Sequence, residues 1–267
     1  MMEECPGRQP ASPWPWCRVL AHRGGGLLAP ENTLAALDLG RAHAGGVELD
    51  VMLSADGTPY LLHDETLERT TSGRGDLAAT PDAELDRLEA GAWFDARFAG
   101  EPVPRLETAA RRCIELDLDV NLEIKPSAGE ERKAGRIVAE HVLRLWSGSR
   151  RLLLISSFSA LALEEVGRVA PSLARGLLVE QLPPDWRERC AALGAVSLHV
   201  ATEALDTETV GAVHAAGLWL VCYTENDPVR ARERLDWGVD CVITDRPDLL
   251  ASLTGPRLAR GGSFTLV

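Results

Sequence analysis

The sequence predicts an α/β fold, a TIM (β/α)8 barrel. Apolar, β-branched runs recur along its 267 residues, amphipathic stretches separate them, and intervals close on turn signals such as Gly45-Gly46, Gly217 and Gly238. Strands are expected at 18–22, 46–53, 119–124, 152–156, 175–179, 196–200, 218–223 and 240–244, which makes eight. Helices fit between them at 31–44, 105–116, 130–146, 160–170, 186–192, 207–216 and 228–237. An open sheet of this length would more often mark a nucleotide site with a glycine fingerprint, and none is present. The hydrophobic content of 45% allows one full core, so a single barrel domain is expected over 16–254. A flexible leader at 1–15 would precede it and a tail at 255–267 would follow.

One short run, 59–63, comes too soon after the second strand to be its parallel neighbour. Asp56-Gly57 is a strong two-residue hairpin signal, so the chain is expected to double back with Ala55 opposite Thr58 and Asp50 opposite His63. Residues 64–104 then form a long insertion with no clear strand, carrying Trp93, Phe94 and Phe98. Loops of this length are usually lids or binding elements.

The net charge of -12 disfavours nucleic acid and anionic membranes as partners. No run approaches a membrane span, and the first seventeen residues hold four prolines and no signal-like apolar stretch. Six cysteines show no metal-binding spacing and are read as reduced, mostly buried thiols. A cytoplasmic protein acting on a small molecule follows, as a monomer or homodimer.

In strand 46–53, Val47, Leu49 and Val51 alternate with Glu48 and Asp50, so the two carboxylates share the face that points into the barrel. Strand 119–124 repeats the alternation and adds Glu123 and then Lys125. Like charges so placed demand a cation, and three carboxylates without cysteine suit Mg2+ or Ca2+, with Mn2+ also possible. The bland alternative is a set of ion-paired strands. His22 and His63 both fall at strand ends near this cluster, where one general base and one general acid could work across a phosphate. Arg23 and Lys125 would offer positive charge to phosphoryl oxygens. His43, His141, His199 and His214 are read as structural.

Ala21-His22-Arg23-Gly24, Ala29-Pro30-Glu31-Asn32-Thr33, Glu48-Leu49-Asp50, Leu62-His63-Asp64, Leu122-Glu123-Ile124-Lys125, Ser156-Ser157-Phe158 and Val242-Ile243-Thr244-Asp245 occur in this order. Together they resemble the glycerophosphodiester phosphodiesterase family, in its short cytoplasmic bacterial branch. The resemblance implies metal-dependent hydrolysis of substrates such as glycerophosphocholine or glycerophosphoethanolamine to sn-glycerol 3-phosphate and an alcohol. It implies a metal on Glu48, Asp50 and Glu123, an acid and base pair in His22 and His63, and phosphate contacts from Arg23 and Lys125. Tyr223 would flank the glycerol, in a Tyr223-Thr224-Glu225-Asn226 segment where Glu225 replaces the family's apolar residue. Glu31 and Asn32 are read as helix caps, and His63 is assigned the acid and His22 the base. Attack by water or by the glycerol 2-hydroxyl would use the same residues. Two rivals remain: a lysophospholipase D-like enzyme with a groove at Trp93, Phe94 and Phe98, and a barrel that binds without catalysis.

Overall fold

The computed structural model describes residues 13–254, so the tail expected at 255–267 and most of the expected leader lie outside the described residues. Eight parallel strands close on themselves: β1 (Val19–Ala21), β2 (Gly46–Leu53), β4 (Asp119–Ile124), β5 (Leu153–Ser157), β6 (Ala174–Val179), β7 (Ser197–Ala201), β8 (Trp219–Tyr223) and β9 (Cys241–Thr244). β9 lies beside β1, and β1 beside β2, which shuts the ring and leaves no free edge. Outside it run α1 (Leu34–His43), α3 (Leu106–Glu115), α4 (Glu131–Leu145), α5 (Ala160–Val169), α6 (Trp186–Leu193), α7 (Thr207–Ala215), α8 (Pro228–Trp237) and the short α9 (Pro247–Leu250). The expected barrel is therefore present, with strand and helix bounds mostly shifted by one or two residues. Among the described residues, no helix is long and apolar enough to cross a membrane.

Alternation explains the layers. Val47, Leu49 and Val51 of β2 and Val120, Leu122 and Ile124 of β4 face outward, into the core shared with the helices. A second cluster fills the barrel's floor, where Trp14 and Trp16 lie on Trp219 with ring centroids 5.6 and 5.8 Å away. Trp14 is only 8% exposed, so the folded body begins inside the stretch expected to be a leader.

β3 (Pro59–Leu61) doubles back on β2 as an antiparallel strand, but its register differs from the expected one. Val51 faces Leu61, Met52 faces Tyr60 and Leu53 faces Pro59, one residue from the register that a two-residue loop would give. His63 lies beyond the paired strand and is not opposite Asp50. The cause is a three-residue loop: Gly57 donates to the Ser54 carbonyl (2.9 Å) and takes φ +81°, a turn followed by a left-handed residue. Ser54 and Thr58 then close the loop, and both hydroxyls donate to Asp82 at 2.6 Å. Asp82 opens α2 (Asp82–Leu85), inside the insertion. The insertion is a folded unit with its own small core of Leu67, Leu77, Leu85, Ala90 and Val103, closed over Met52, Tyr60 and Leu62.

Candidate active site

The candidate site stands at the C-terminal ends of the strands, where the fold is open. Strand register sets Glu48 beside Asn121 and Asp50 beside Glu123, and one carboxylate oxygen from each of Glu48, Asp50 and Glu123 lies within 4.8 Å of the others. Glu48 and Asp50 are buried, and Glu48 Oε1 has no hydrogen-bond partner. Burial, then the charges of Asp50 and Glu123, raises the Glu48 carboxyl well above its usual range. Burial and Asp50 push Glu123 up to about 7. A buried acidic cluster with an orphaned oxygen is stable as charged groups only with a cation among them, so the residues present fit the expected metal.

The neighbours of these carboxylates fix them. Asn32 takes a left-handed φ of +58°, donates from Nδ2 to Asp50 (2.8 Å) and accepts the Asp50 amide (3.1 Å). The Arg23 amide donates to Glu48 at 3.0 Å. Neither Asn32 nor Glu31 caps α1: Thr33 is the N-cap and its hydroxyl accepts from the Ala36 amide. The capping expectation fails because the helix starts later, which frees both side chains for the site.

His22 follows β1 directly, and its Nδ1 lies 2.6 Å from Asp245 at the end of β9. Asn226 fixes Asp245 from both sides, donating to its carboxylate (3.0 Å) and accepting its amide (2.7 Å). Burial alone would raise Asp245, but the hydrogen bond and charge of His22 hold it below the usual carboxylate range. Gly26 allows this closure: at φ +58°, a β-carbon there would collide with the Asp245 backbone, to which Leu27 donates at 2.8 Å.

His63 repeats the pattern from the other side, with Nδ1 2.7 Å from Asp64 and Nε2 3.3 Å from Lys125. Both imidazoles thus have Nδ1 anchored on an aspartate, which leaves Nε2 for chemistry. Arg23 Nε lies 3.3 Å from His22 Nε2, so each Nε2 faces one cationic donor. Burial lowers the His63 pKa and, with Arg23 and Lys125, outweighs the opposing pull of Asp50 and Asp64.

The predicted residues thus converge, with Tyr223 to one side. Its hydroxyl donates to the Val179 carbonyl (2.9 Å), its ring meets Phe158 edge-on, and it lines a separate cavity with Glu180 and Glu203. The substituted Glu225 is fully buried and satisfied, accepting from Thr202, the Asp227 amide and Arg230. A cavity of about 790 Å3 opens on His63, Glu123, Lys125 and Phe158. Another of about 320 Å3 opens on His22, Leu27, Arg69, Trp93 and Phe94. Sequence reasoning assigned no role to Asp64, Asp245, Arg69 or Asn226. Asp64 and Asp245 stood inside recognised segments, but their partners could not be read from spacing.

The glycerophosphoryl diester phosphodiesterase family model matches residues 22–249. The chain belongs to this family. It is 34% identical over 244 residues to a glycerophosphodiester phosphodiesterase of Caldanaerobacter subterraneus subsp. tengcongensis, covering 88% of this chain and 96% of that one. An Oleispira antarctica phosphodiesterase, solved in complex with the product sn-glycerol 3-phosphate, is 36% identical with a TM-score of 0.83, covering 88% and 95% of the two chains. A glycerophosphodiester phosphodiesterase from Agrobacterium tumefaciens str. C58 is 34% identical with a TM-score of 0.74, covering 88% and 99%. The chain's activity is therefore that of a glycerophosphodiester phosphodiesterase.

Proposed function

We propose that the enzyme hydrolyses glycerophosphodiesters such as glycerophosphocholine and glycerophosphoethanolamine to sn-glycerol 3-phosphate and an alcohol, with a divalent cation held by Glu48, Asp50 and Glu123. Mg2+ or Ca2+ is the natural occupant of three hard carboxylate oxygens, and Mn2+ the next. Such a cation would neutralise the diester and stabilise the charge that develops on its oxygens.

The observation that carries the reading is the pair of aspartate-anchored imidazoles beside that acidic cluster. Burial, with Arg23 and Lys125, lowers the His63 pKa, which favours the unprotonated imidazole that a general base needs. This reverses the assignment made from sequence, whose premise was the register with Asp50. His63 Nε2 takes the proton of the attacking hydroxyl, from water or from the glycerol 2-position; in the second case a cyclic phosphate forms first, and water then opens it to glycerol 3-phosphate. His22 Nε2 hands a proton to the leaving oxygen, and Asp245 supports the charge it carries. Lys125 and Arg23 turn their donors to the phosphoryl oxygens, and Tyr223 with Phe158 borders the glycerol.

Release of glycerol 3-phosphate from glycerophosphocholine, with and without EDTA, tests the reading. Full turnover in excess EDTA after dialysis would remove the metal from it, and absence of glycerol 3-phosphate would remove the reaction. A p-nitrophenyl ester of glycerol phosphate separates the histidines, because its leaving group needs no acid. His22→Ala should recover much of its rate on that ester and His63→Ala should not; the opposite result would restore the first assignment.

One observation favours a second substrate class. Leu27 and Trp93 are exposed apolar side chains on the cavity beside His22, where one acyl chain could lie, so lysophosphatidylcholine belongs in the same assay. A cytoplasmic setting suits the cysteines, since none of the five among the described residues forms a disulfide. The acidic net charge disfavours nucleic acid as a partner.

A further inference from the structure

The two histidine pairs are joined by a run of side chains that neither pair contains, with Arg69 at its outer turn. Arg69 donates from Nε and Nη2 to Asp64, the partner of His63, and from Nη1 and Nη2 to both oxygens of Glu31, at 2.5 to 2.9 Å. Glu31 in turn accepts from Arg23 at 2.7 Å, and Arg23 Nε reaches His22. A continuous run of hydrogen bonds therefore links His22 to His63 through Arg23, Glu31, Arg69 and Asp64.

We propose that Arg69 is a positioning residue for catalysis, a strap by which the insertion holds both histidines in their working orientation. Four of its five N–H groups already serve the two carboxylates, which leaves little for a substrate phosphate. Its backbone is fixed although its tip is exposed. Leu67 is fully buried in the insertion's core, Thr70 is buried, and Thr71 binds the Leu67 carbonyl through its amide (3.1 Å) and hydroxyl (2.7 Å). The planar fork spans two carboxylates, a geometry lysine cannot reproduce. Arg69 is half exposed, and without it Glu31 keeps Arg23 and Asp64 keeps His63 as partners, so the larger effect belongs in turnover rather than in melting.

The inference rests on the proposed roles of His22 and His63, and its test separates the two. The groups facing His63 are Asp50, Asp64, Arg23 and Lys125. Without Arg69, the Asp64 charge is no longer shared and favours the protonated form of His63, so the acid limb of kcat/KM should move to higher pH. Arg69→Ala should lower kcat by ~10- to 100-fold with KM changed less, and move that limb up by about half a unit to one unit. Melting temperature and Mn2+ affinity by calorimetry should be unchanged. Arg69→Lys, which keeps the charge, should recover only part of the rate. Wild-type kcat and an unmoved acid limb in Arg69→Ala would overturn the proposal. So would a loss of rate that merely follows a loss of folded protein. His63→Ala, run in parallel, guards the premise: if it turns over normally, the roles assigned to the histidines are wrong, whatever Arg69 does.

Discussion

The floor and the mouth of this barrel obey opposite rules. At the floor, Trp14, Trp16 and Trp219 close the interior with apolar surface, beside Leu20, Leu154 and Ile243. At the mouth, on β2 and β4, Glu48, Asp50 and Glu123 crowd three carboxylates together, the first two of them buried. The floor lowers the free energy of the fold. The mouth raises it, and under the proposed function that cost serves the reaction, so function and stability are separable between the two ends of the barrel.

The largest expected effects test that separation directly. Alanine at His22 or His63 should lower kcat on natural diesters by ~10^2- to 10^4-fold while melting stays within a few degrees of wild type. Comparable loss of fold and activity would mean that the mouth also holds the barrel together. Trp219→Ala at the floor should do the reverse, costing about 3 to 5 kcal/mol in denaturant unfolding while the remaining folded enzyme turns over normally. A reduced kcat in that variant at full folding would show that the floor reaches the chemistry.

Proton linkage gives a third, smaller effect. The Glu123 carboxyl titrates at about 7 in the fold against 4.5 for the ordinary group, so the metal-free native state binds more protons than the unfolded chain between those values. Its contribution is fully present below about pH 4.5 and is lost as pH rises through 7. A cation should offset the loss, so the gain in melting temperature on adding Mg2+ or Mn2+ should be larger at pH 8 than at pH 5. A gain that is equal at both would place the bound cation away from this cluster. By the same reasoning Glu48→Gln should weaken metal binding in calorimetry and raise the melting temperature of the metal-free protein, because it removes one buried charge. The smallest effect belongs to Tyr223→Phe. It loses one hydrogen bond to Val179, worth about 1 kcal/mol, and should leave kcat within a few-fold; a large fall would put that hydroxyl in the reaction.

What the sequence made legible follows the same division. Period-two alternation is a local property, so the inward face of Glu48, Asp50 and Glu123 could be read directly, as could the strands that carry them. The hairpin register could not, because Asp56-Gly57 suits a two- or a three-residue loop and Asp82, far along the chain, braces the longer one. Asn32 looked like a cap because Thr33, the actual cap, is its neighbour. Asp245 and Arg69 were missed for one reason. Their importance lies in partners 223 residues away for Asp245, and 38 and 5 away for Arg69, and no spacing rule reports such pairs.

The His22 and Asp245 pair also bears on how the enzyme comes into being. One member follows the first strand and the other follows the last, so the pair exists only after β1 has met β9 and nearly the whole chain lies between them. Contacts of such high sequence separation carry a large loop-closure cost and tend to form late. Under the role proposed for His22, turnover is therefore a readout of ring closure. During refolding, helical signal should return before activity does, and a nascent chain halted short of β9 would carry the three carboxylates and both histidines yet lack the finished His22 pair.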